Sequence, residues 1–296
     1  MKKLFALFLA VMMVLTMVAC GGSKTEDKAP EAPAETEKTE TAAPEAPEAP
    51  AEPESDAAYI EGNGKLVVGI TIYEPMNYFD EAGELTGFDT EFAQAVCDKL
   101  GLEAEFQEIN WDTKEIELNA KSIDCIWNGM TITEDRAANM SISLPYVKNA
   151  QVIVVKADSA YASTADLADA TLVAEIGSAG EAQIMGDDAN ADLAKATYVG
   201  MAKQTDCLME VKAGTADAAV LDWTLAMSMV GEGTDFADLK MIDGVELATE
   251  EYGIAFRKGS DFTAKVDAAA KELVADGTLT ALAEKYGLAL APAIAG

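Results

Sequence analysis

The chain has 296 residues, half of them hydrophobic, with 52 acidic side chains against 21 basic ones. This length allows about two domains, because single hydrophobic cores stop growing near ~250 residues. The formal net charge of -31 argues against binding to nucleic acid, and the lack of histidine removes the usual general base and the usual zinc ligand.

Residues 1–19 have the form of an export signal. Two lysines form a basic start, and the apolar run that ends at Ala19 is shorter than the ~20 residues of a membrane-spanning helix. Cys20 follows directly, which resembles the cleavage site of a bacterial lipoprotein, although Met17 stands where that motif usually has Leu. The resemblance implies a lipid such as palmitate on Cys20 and an anchor at the outer face of the cytoplasmic membrane. Plain secretion is the alternative.

Residues 20–58 are rich in Ala, Pro, Glu and Thr, with repeats such as APEAPEAPAEPE. Such a composition buries too little apolar surface to offset the conformational entropy of the chain. The sequence therefore predicts a disordered tether, which lets the folded part extend away from its attachment point but takes no part in binding or catalysis.

Beyond the lipid site, the chain has three cysteines in no spacing typical of metal or redox sites: Cys97, Cys125 and Cys207. Buried free thiols are expected, with one disulfide between Cys97 and Cys125 as the alternative. Residues 188–192 begin like a calcium loop, but the turning glycine and the final glutamate are missing. No metal and no cofactor are expected.

Strands and helices alternate from Tyr59 onward. Periodicity and turn residues predict strands at 65–71, 103–109, 123–129, 151–156, 171–177, 217–222 and 252–258. Helices are predicted at 87–101, 112–119, near 166–168, from Ser178, at 203–212, 261–275 and 278–286. This order predicts an α/β fold with two lobes, each a mostly parallel sheet covered by helices.

Three predicted strand ends carry polar groups, and ligands of open α/β sheets bind beyond the carboxyl ends of strands. They are Asn-Gly-Met-Thr at 128–131 followed by Arg136, Gly-Ser-Ala-Gly at 177–180, and Asp222 with Trp223. We therefore expect these three segments to face one ligand site.

Arg136 is one of only two arginines in the chain. Thr133 is a good N-cap, so Arg136 falls in the first turn of a helix whose positive end lies beside its guanidinium group. That arrangement suits a carboxylate held by two parallel hydrogen bonds. A surface ion pair with Glu134 or Asp135 is the alternative.

The other two strand ends complete the pattern of a zwitterion site. Ser178 and Glu181 form a capping box after a strand, which turns a second helix N-terminus toward the same space. Asp222 ends a strand, where it is able to accept hydrogen bonds from an ammonium group or, alternatively, to act as an ordinary N-cap. Trp127 lies inside a strand and is assigned to the core.

The region from about Gly64 to Gly287 resembles the amino-acid-binding proteins of ABC importers, solute-binding protein family 3. The resemblance rests on segments in matching order and spacing: LVVGIT, LTGFDTEFAQAVCDKLG, INWDTKEIELNAKSIDCIWNGMTITEDR, SLPY, ADLADATLVAEIGS, GTADAAVLD and EYGIAFRKGSD. It implies a two-lobed periplasmic-binding-protein-like fold of type II, with two hinge strands and a cleft between the lobes. Lobe one would hold residues 59–149 and 250–296, and lobe two residues 150–249, with crossings near 149–151 and 249–252.

The same resemblance implies roles for the candidate residues. Arg136 would hold the α-carboxylate of a free L-amino acid, assisted by the amide and hydroxyl of Thr131 and by the backbone of Ser178 and Ala179. Asp222 would accept from the α-ammonium group. The remaining contacts would come from the Gly129 carbonyl, the Asn128 side chain, and the aromatic rings of Tyr73 and Trp111, which sandwich the ligand side chain or, alternatively, only pack.

Two departures from the family pattern bear on specificity. The loop at 69–73 lacks the Asp with which many members contact the ligand, so that contact is expected to be missing. Glu175 stands where some members have a basic or neutral residue. If Glu175 faces the cleft, it favours a ligand with a cationic side chain such as lysine or arginine.

The implied function is an extracytoplasmic receptor that closes around an amino acid and delivers it to the transmembrane subunits of an ABC permease. A monomer is expected, with a lipid anchor and without nucleic acid. Two alternatives stand beside it: a cleft enzyme such as a small-carboxylate dehydratase, and a tethered sensor or adhesin. The enzyme is disfavoured because Leu225 stands where a second acid would follow Asp222, which leaves Glu175 alone to act.

Overall fold

The computed structural model of the protein describes residues 55–296. The predicted signal peptide at 1–19, the predicted lipid site at Cys20 and most of the predicted tether lie outside the described residues. Among the helices at 55–296, none is long and apolar enough to cross a membrane.

The end of the predicted tether, 56–58, is helical, which corrects the predicted start of the folded part. Helix α1 (Asp56–Asn63) begins there because the Ser55 hydroxyl accepts a hydrogen bond from the amide of Ala58 and caps its first turn. Ala57 and Ile60 are buried on one side of the helix. The folded part therefore begins slightly earlier than its composition indicates.

The strands of the described chain are β1 (Lys65–Ile70), β2 (Tyr78–Phe79), β3 (Leu85–Thr86), β4 (Glu103–Glu108), β5 (Cys125–Ile126), β6 (Met140–Ile142), β7 (Val147–Lys156), β8 (Thr171–Glu175), β9 (Thr197–Met201), β10 (Ala218–Asp222), β11 (Leu239–Tyr252) and β12 (Ala255–Arg257). Its further α-helices are α2 (Phe88–Leu100), α3 (Lys114–Asn119), α4 (Glu134–Asn139), α5 (Ala179–Met185), α6 (Gln204–Ala213), α7 (Trp223–Met229), α8 (Phe262–Ala275), α9 (Thr278–Lys285) and α10 (Pro292–Ala295). Short 3₁₀ turns lie at Trp111–Thr113, Thr164–Leu167 and Leu193–Lys195.

Two five-stranded sheets form the two lobes. The first has the order β4-β1-β5-β12-β6, in which β1 runs parallel to β4 and β5, while β12 runs antiparallel to β5 and β6. The second has the order β11-β7-β10-β8-β9. Each sheet is thus mixed, which corrects the prediction of mostly parallel sheets. Strands that cross over from the other lobe, β12 in the first sheet and β7 in the second, run antiparallel to their neighbours.

The two hinge strands are β7 and β11. They pair antiparallel from Lys156 with Leu239 to Val147 with Tyr252, and isolated bridges join Tyr252 to Thr131 and Val147 to Leu290 at the lobe-one end. The predicted crossings lie inside these strands. The lobe boundaries themselves stay a prediction.

Strand β11 is the main element that the sequence did not predict. Its 14 residues include register shifts between Met241 and Glu246 and again before Ala248, which break the alternation expected of a strand. The predicted strand at 252–258 is the end of β11 followed by the short β12. Strands β2, β3, β6 and β9 were also not predicted, and the predicted helix near 166–168 is a 3₁₀ turn.

The core of lobe one packs α2 against the sheet. Phe92 meets Trp127 edge-on with ring centroids 4.9 Å apart, which confirms Trp127 as a core residue. Cys97, Cys125 and Cys207 are buried free thiols, and the alternative disulfide is absent from the described chain. Burial raises the pKa of the Cys97 thiol to about 12, so this side chain is unreactive near neutral pH.

Arg257 lies in a buried ion cluster that ties α1 to lobe one. It is 8% exposed, and its guanidinium donates to Asp56 at 2.6 Å and to Asp124 at 2.9 Å. A third contact, to the Ile123 carbonyl at 2.8 Å, fixes the strand that leads to the candidate site. One of the two arginines is therefore structural.

Replacing Arg257 by methionine should destabilise the protein by about 3 kcal/mol, because two carboxylates lose their buried partner. The change in the free energy of unfolding is measured by urea denaturation. Lys258→Met is the matched control, since Lys258 is exposed, and a surface substitution should stay within about 0.5 kcal/mol. Equal effects of the two substitutions would contradict a structural role for Arg257.

Candidate ligand-binding site

A narrow, partly enclosed cavity lies between the lobes. Its walls contain all ten side chains that the sequence placed in the ligand site, together with Gln204, which the sequence did not predict. They are Tyr73, Trp111, Asn128, Gly129, Thr131 and Arg136 on one side, and Glu175, Ser178, Ala179, Gln204 and Asp222 on the other.

Arg136 reaches across the cleft from lobe one to lobe two. The Thr133 hydroxyl accepts from the Arg136 amide at 3.2 Å, so the predicted N-cap orients the first turn of α4. Nη1 donates to the Thr131 carbonyl at 2.7 Å and Nη2 donates to the Gly177 carbonyl at 3.0 Å. The side chain is 9% exposed and bonds inward, so the alternative of a surface ion pair with its acidic neighbours is wrong.

Lys114 is a second buried cation at the same place, and the sequence did not predict it. Its Nζ donates to the Trp111 carbonyl at 3.0 Å and to the Gly177 carbonyl at 3.1 Å. Burial, assisted by the charge of Arg136, lowers the pKa of Lys114 to about 8. Two cations of lobe one thus converge on one carbonyl of lobe two, which is the geometry of a closed cleft.

The Asp222 carboxylate is surrounded by side-chain amides. Its Oδ1 accepts from Asn149 Nδ2 and from Gln151 Nε2, both at 2.6 Å, and its Oδ2 accepts from Gln204 Nε2. Its side chain makes no capping bond to α7, so the N-cap alternative is wrong. Burial raises the pKa of Asp222, while the three amides oppose this effect.

Glu175 faces the cavity at the end of β8, where it is 4% exposed. Burial, together with the charge of Asp222, raises the pKa of Glu175 to about 8. Lys114, the amide of Gln204 and Arg136 act in the opposite direction. Glu175 therefore lies in the cleft, as the hypothesis of a cationic ligand requires.

Two predicted side-chain contacts are corrected by the hydrogen bonds that these groups already make. The Thr131 hydroxyl donates to Glu250 Oε1 at 2.8 Å, which leaves the Thr131 amide as the group able to donate to a ligand. Asn128 donates to the Thr71 carbonyl at 2.9 Å and to Asn77 at 2.7 Å, and accepts from the Thr71 hydroxyl at 2.7 Å. Asn128 therefore supports the wall, because its amide is engaged within lobe one.

The loop that carries Ser178 and Ala179 is fixed by a variant of the predicted capping box. The Ser178 hydroxyl accepts from the Glu181 amide at 3.0 Å, and the Glu181 carboxylate accepts from the Gly177 amide at 2.7 Å. A Cβ on Gly180 would lie 2.6 Å from the carbonyl oxygen of Val220. Only glycine lets this loop pack so closely on β10.

The Tyr73 ring closes the wall beside Gly129. Its hydroxyl bonds to the Tyr252 hydroxyl at 2.6 Å and also contacts Thr224 of lobe two. Gly129 has a φ of 55°, and its amide donates to Asp89 Oδ2 at 2.7 Å. A Cβ on Gly129 would lie 2.5 Å from Cε1 of Tyr73.

Gly129→Ala should therefore weaken amino-acid binding at least about tenfold, since the new methyl group displaces the Tyr73 ring from the wall of the cavity. The matched control is Gly101→Ala, where φ is 70° and a Cβ meets nothing within 4 Å. Both should lose about 1 kcal/mol of stability to the left-handed backbone. Calorimetric affinities that fall equally in both variants would contradict the role of the Tyr73 contact.

In the part of the chain that the structure describes, no three His, Cys, Asp or Glu side chains are grouped so as to hold a metal ion. At the cavity, Asp222 accepts instead from side-chain amides, and Arg136 and Lys114 donate to backbone carbonyls. This arrangement is suited to binding a charged organic molecule.

The model of the bacterial extracellular solute-binding proteins, family 3, matches residues 66–289. The chain belongs to this family. Its fold is the two-lobed, type II fold of periplasmic binding proteins, as the neighbouring solved structures show.

Individual relatives agree with this assignment. The L-cystine-binding protein TcyJ of Escherichia coli (strain K12) is 30% identical over 77% of this chain and 84% of its own length. The arginine-binding extracellular protein ArtP of Bacillus subtilis (strain 168) is 27% identical over 97% of this chain and 98% of its own. The crystal structure of the P235GK mutant of ArgBP from T. maritima superposes with a TM-score of 0.71 at 34% identity, over 78% of this chain and 99% of that one.

Proposed function

We propose that this solute-binding protein holds a free L-amino acid with a cationic side chain, such as arginine or lysine, and delivers it to an ABC importer. The observation that carries the side-chain assignment is Glu175, a buried carboxyl group in the cavity beside Arg136 and Asp222. The link to an ABC importer is supported by the ABC transporter glutamine-binding protein GlnH of Bacillus subtilis (strain 168), which is 27% identical to this chain. Relatives that bind cystine and arginine are also found.

The zwitterionic part of the ligand uses the two lobes together. The Arg136 guanidinium and the Thr131 amide of lobe one take the α-carboxylate, joined by the amides of the Ser178–Gly180 loop. Asp222 of lobe two takes the α-ammonium group. Because the ligand bridges both lobes, it favours the closed conformation by its differential affinity, and the permease recognises that conformation.

The charge of the cavity supports a cationic side chain. Two buried cations, Arg136 and Lys114, stand against three carboxyl groups, those of Asp222, Glu175 and the adjacent Glu250. With all five ionised, the set has one negative charge in excess. A ligand with a net positive charge lets all five groups stay ionised, whereas a neutral amino acid leaves one carboxyl group either to take up a proton or to stay unpaired in a desolvated site.

A thermal-shift screen tests the function. Protein without the tether, refolded free of carried ligand, is compared with and without each common amino acid, L-cystine and citrulline. We expect the largest rise in melting temperature with arginine or lysine. A larger rise with cystine or a neutral amino acid would refute the cationic assignment, and no rise with any amino acid would refute the function as a whole and favour a sensor or adhesin.

A cleft enzyme stays the second candidate because of the same side chain. A carboxyl group whose pKa is about 8 is protonated at neutral pH and suited to act as a general acid. Incubation of the protein with small carboxylates, followed by product analysis, tests it, and unchanged substrates would exclude it.

Cys20, outside the described residues, is proposed as the site of the lipid anchor. The protein would then act at the outer face of the cytoplasmic membrane as a monomer on a tether. Release of wild-type protein into the medium, unchanged by Cys20→Ser, would contradict the anchor.

A further inference from the structure

A second carboxyl group, Glu250 on β11, lies directly behind Asp222 and does not line the cavity. The two share their hydrogen-bond donors. Asn149 Nδ2 donates to Asp222 Oδ1 and to Glu250 Oε1, both at 2.6 Å. Gln151 Nε2 donates to the same two oxygens at 2.6 Å and 2.8 Å. Since each oxygen contacts both nitrogens, the two carboxyl groups are close neighbours.

The two amides are oriented by this pair of carboxyl groups. Gln151 Oε1 is buried and receives no hydrogen bond from the described residues. The orientation of this amide is therefore fixed only by the hydrogen bonds that its Nε2 donates to Asp222 and Glu250. Asn149 Oδ1 accepts from the Thr224 amide at 3.2 Å. Both amides belong to hinge strand β7, so Glu250 acts on the site through the hinge.

We propose that Asp222 and Glu250 share one proton while the cavity is empty, and that Glu250 is a positioning residue that sets the affinity for the ligand's ammonium group. This inference rests on the proposed function. Asp222 is buried and Glu250 is half-buried, and two such carboxyl groups that share donors do not both ionise readily unless a cation contacts one of them. An ammonium group at Asp222 is such a cation, so its binding releases the proton to solvent.

The charged surroundings of the pair are consistent with that release. Burial and the charge of Asp222 raise the pKa of Glu250 to about 7, while Gln151, Thr131 and Asn149 oppose the shift. The other titratable groups that face the pair are Arg136 of α4, Glu175 of β8, and the hydroxyls of Tyr73 and Tyr252. On the outer side, Glu250 lines a second pocket together with Lys148 and Glu251. Burial lowers the pKa of Arg136, whereas the charges of Glu250 and Asp222 both raise it, so Arg136 offsets part of the repulsion between the two carboxyl groups. Its guanidinium group donates to the carbonyls of Thr131 and Gly177 rather than to either carboxyl group.

Glu250 also connects the two halves of the ligand site. Its Oε1 accepts from the Thr131 hydroxyl of lobe one and from the two amides that hold Asp222 of lobe two. Ionised Glu250 therefore fixes Thr131 and the ammonium site at once. Loss of its charge removes the negative field behind Asp222 without removing a group that the ligand touches.

Calorimetry with L-arginine tests the inference. Wild-type protein, Glu250→Gln and the neighbouring control Glu251→Gln are titrated between pH 6 and pH 8 in two buffers of different ionisation enthalpy, which gives the number of protons released. The wild type should release protons and gain affinity as the pH rises, by at most about tenfold per pH unit for each proton. Glu250→Gln should release fewer protons, show a flatter profile, and bind about tenfold more weakly at the upper pH.

The two failures are distinguishable. Wild-type protein that binds no amino acid would overturn the proposed function, whereas Glu250→Gln with the proton release and pH profile of Glu251→Gln would overturn the present inference alone. If Glu250→Gln does not fold, ¹³C NMR of the wild-type carboxyl groups takes its place. A Glu250 carboxyl that titrates near 7 in the free protein and no longer does so with arginine supports the shared proton, and one that titrates like an exposed glutamate overturns it.

Discussion

Arg136→Ala should greatly reduce the ability of the protein to distinguish arginine from agmatine, the analogue without the α-carboxylate. In the wild type, arginine should bind tighter by at least about 2 kcal/mol, or roughly thirtyfold, because the guanidinium fork pairs with the carboxylate in a desolvated site. With alanine, arginine loses that contact and agmatine does not. The ratio of the two dissociation constants, measured by calorimetry, should fall at least about tenfold, and the backbone amides of Thr131 and the Ser178–Gly180 loop account for what remains.

Arg136→Lys is the matched control for this ratio. Lysine keeps the positive charge but has no planar fork, so an intermediate ratio is expected. Arg136 also donates to the Gly177 carbonyl across the cleft, so its loss weakens closure for both ligands. The ratio cancels this shared effect, and an unchanged ratio in Arg136→Ala would contradict a carboxylate role whatever happens to the absolute affinities.

Three of the cavity-lining residues were predictable because each lies in a segment at or after a strand end. In an open α/β sheet, the order of strands brings such ends to one edge, so Arg136, Ser178 and Asp222 were placed together before any distance was known. The aromatic rings of Tyr73 and Trp111 came instead from the family resemblance. The structure places all of them around one cavity.

Gln204 in the cavity wall and the polar groups behind the cavity could not be identified from strand ends. Gln204 opens α6 without marking a strand end, and Lys114 belongs to a residue type that is almost never buried unless it is paired. Asn149 and Gln151 lie within an apolar strand pattern. Glu250 lies in β11, whose register shifts hide its strand character. These groups are defined by contacts between distant segments, which residue patterns do not encode.

Glu175→Gln should abolish the preference for arginine over citrulline, its neutral isostere. The guanidinium group favours ionised Glu175, whereas citrulline leaves that carboxyl buried without a cation. In the wild type we expect a preference of about thirtyfold to a hundredfold near pH 8, corresponding to about 2–3 kcal/mol. Dissociation constants for both ligands, measured by calorimetry, give the ratio directly.

The pH dependence of that ratio has a definite sign. In the free protein, burial holds the pKa of Glu175 at about 8, so below that pH arginine must displace a proton. Arginine affinity should therefore rise by up to about tenfold per pH unit until about pH 8 and then level off, relative to citrulline at the same pH. Taking the ratio removes the titration of the α-ammonium group and of the Asp222–Glu250 pair, which act on both ligands.

Glu232→Gln separates this local effect from a general change of charge. Glu232 is exposed in lobe two, so its neutralisation changes the net charge by the same amount but places no neutral group in the cavity. The control should keep both the preference for arginine and its rise with pH, since exposed charges are screened by solvent and salt. Glu175→Gln should lose both. If Glu175→Gln keeps the wild-type ratio of arginine to citrulline affinity at every pH, the charged end of the ligand side chain does not contact residue 175. That result would remove the physical basis for a cationic ligand.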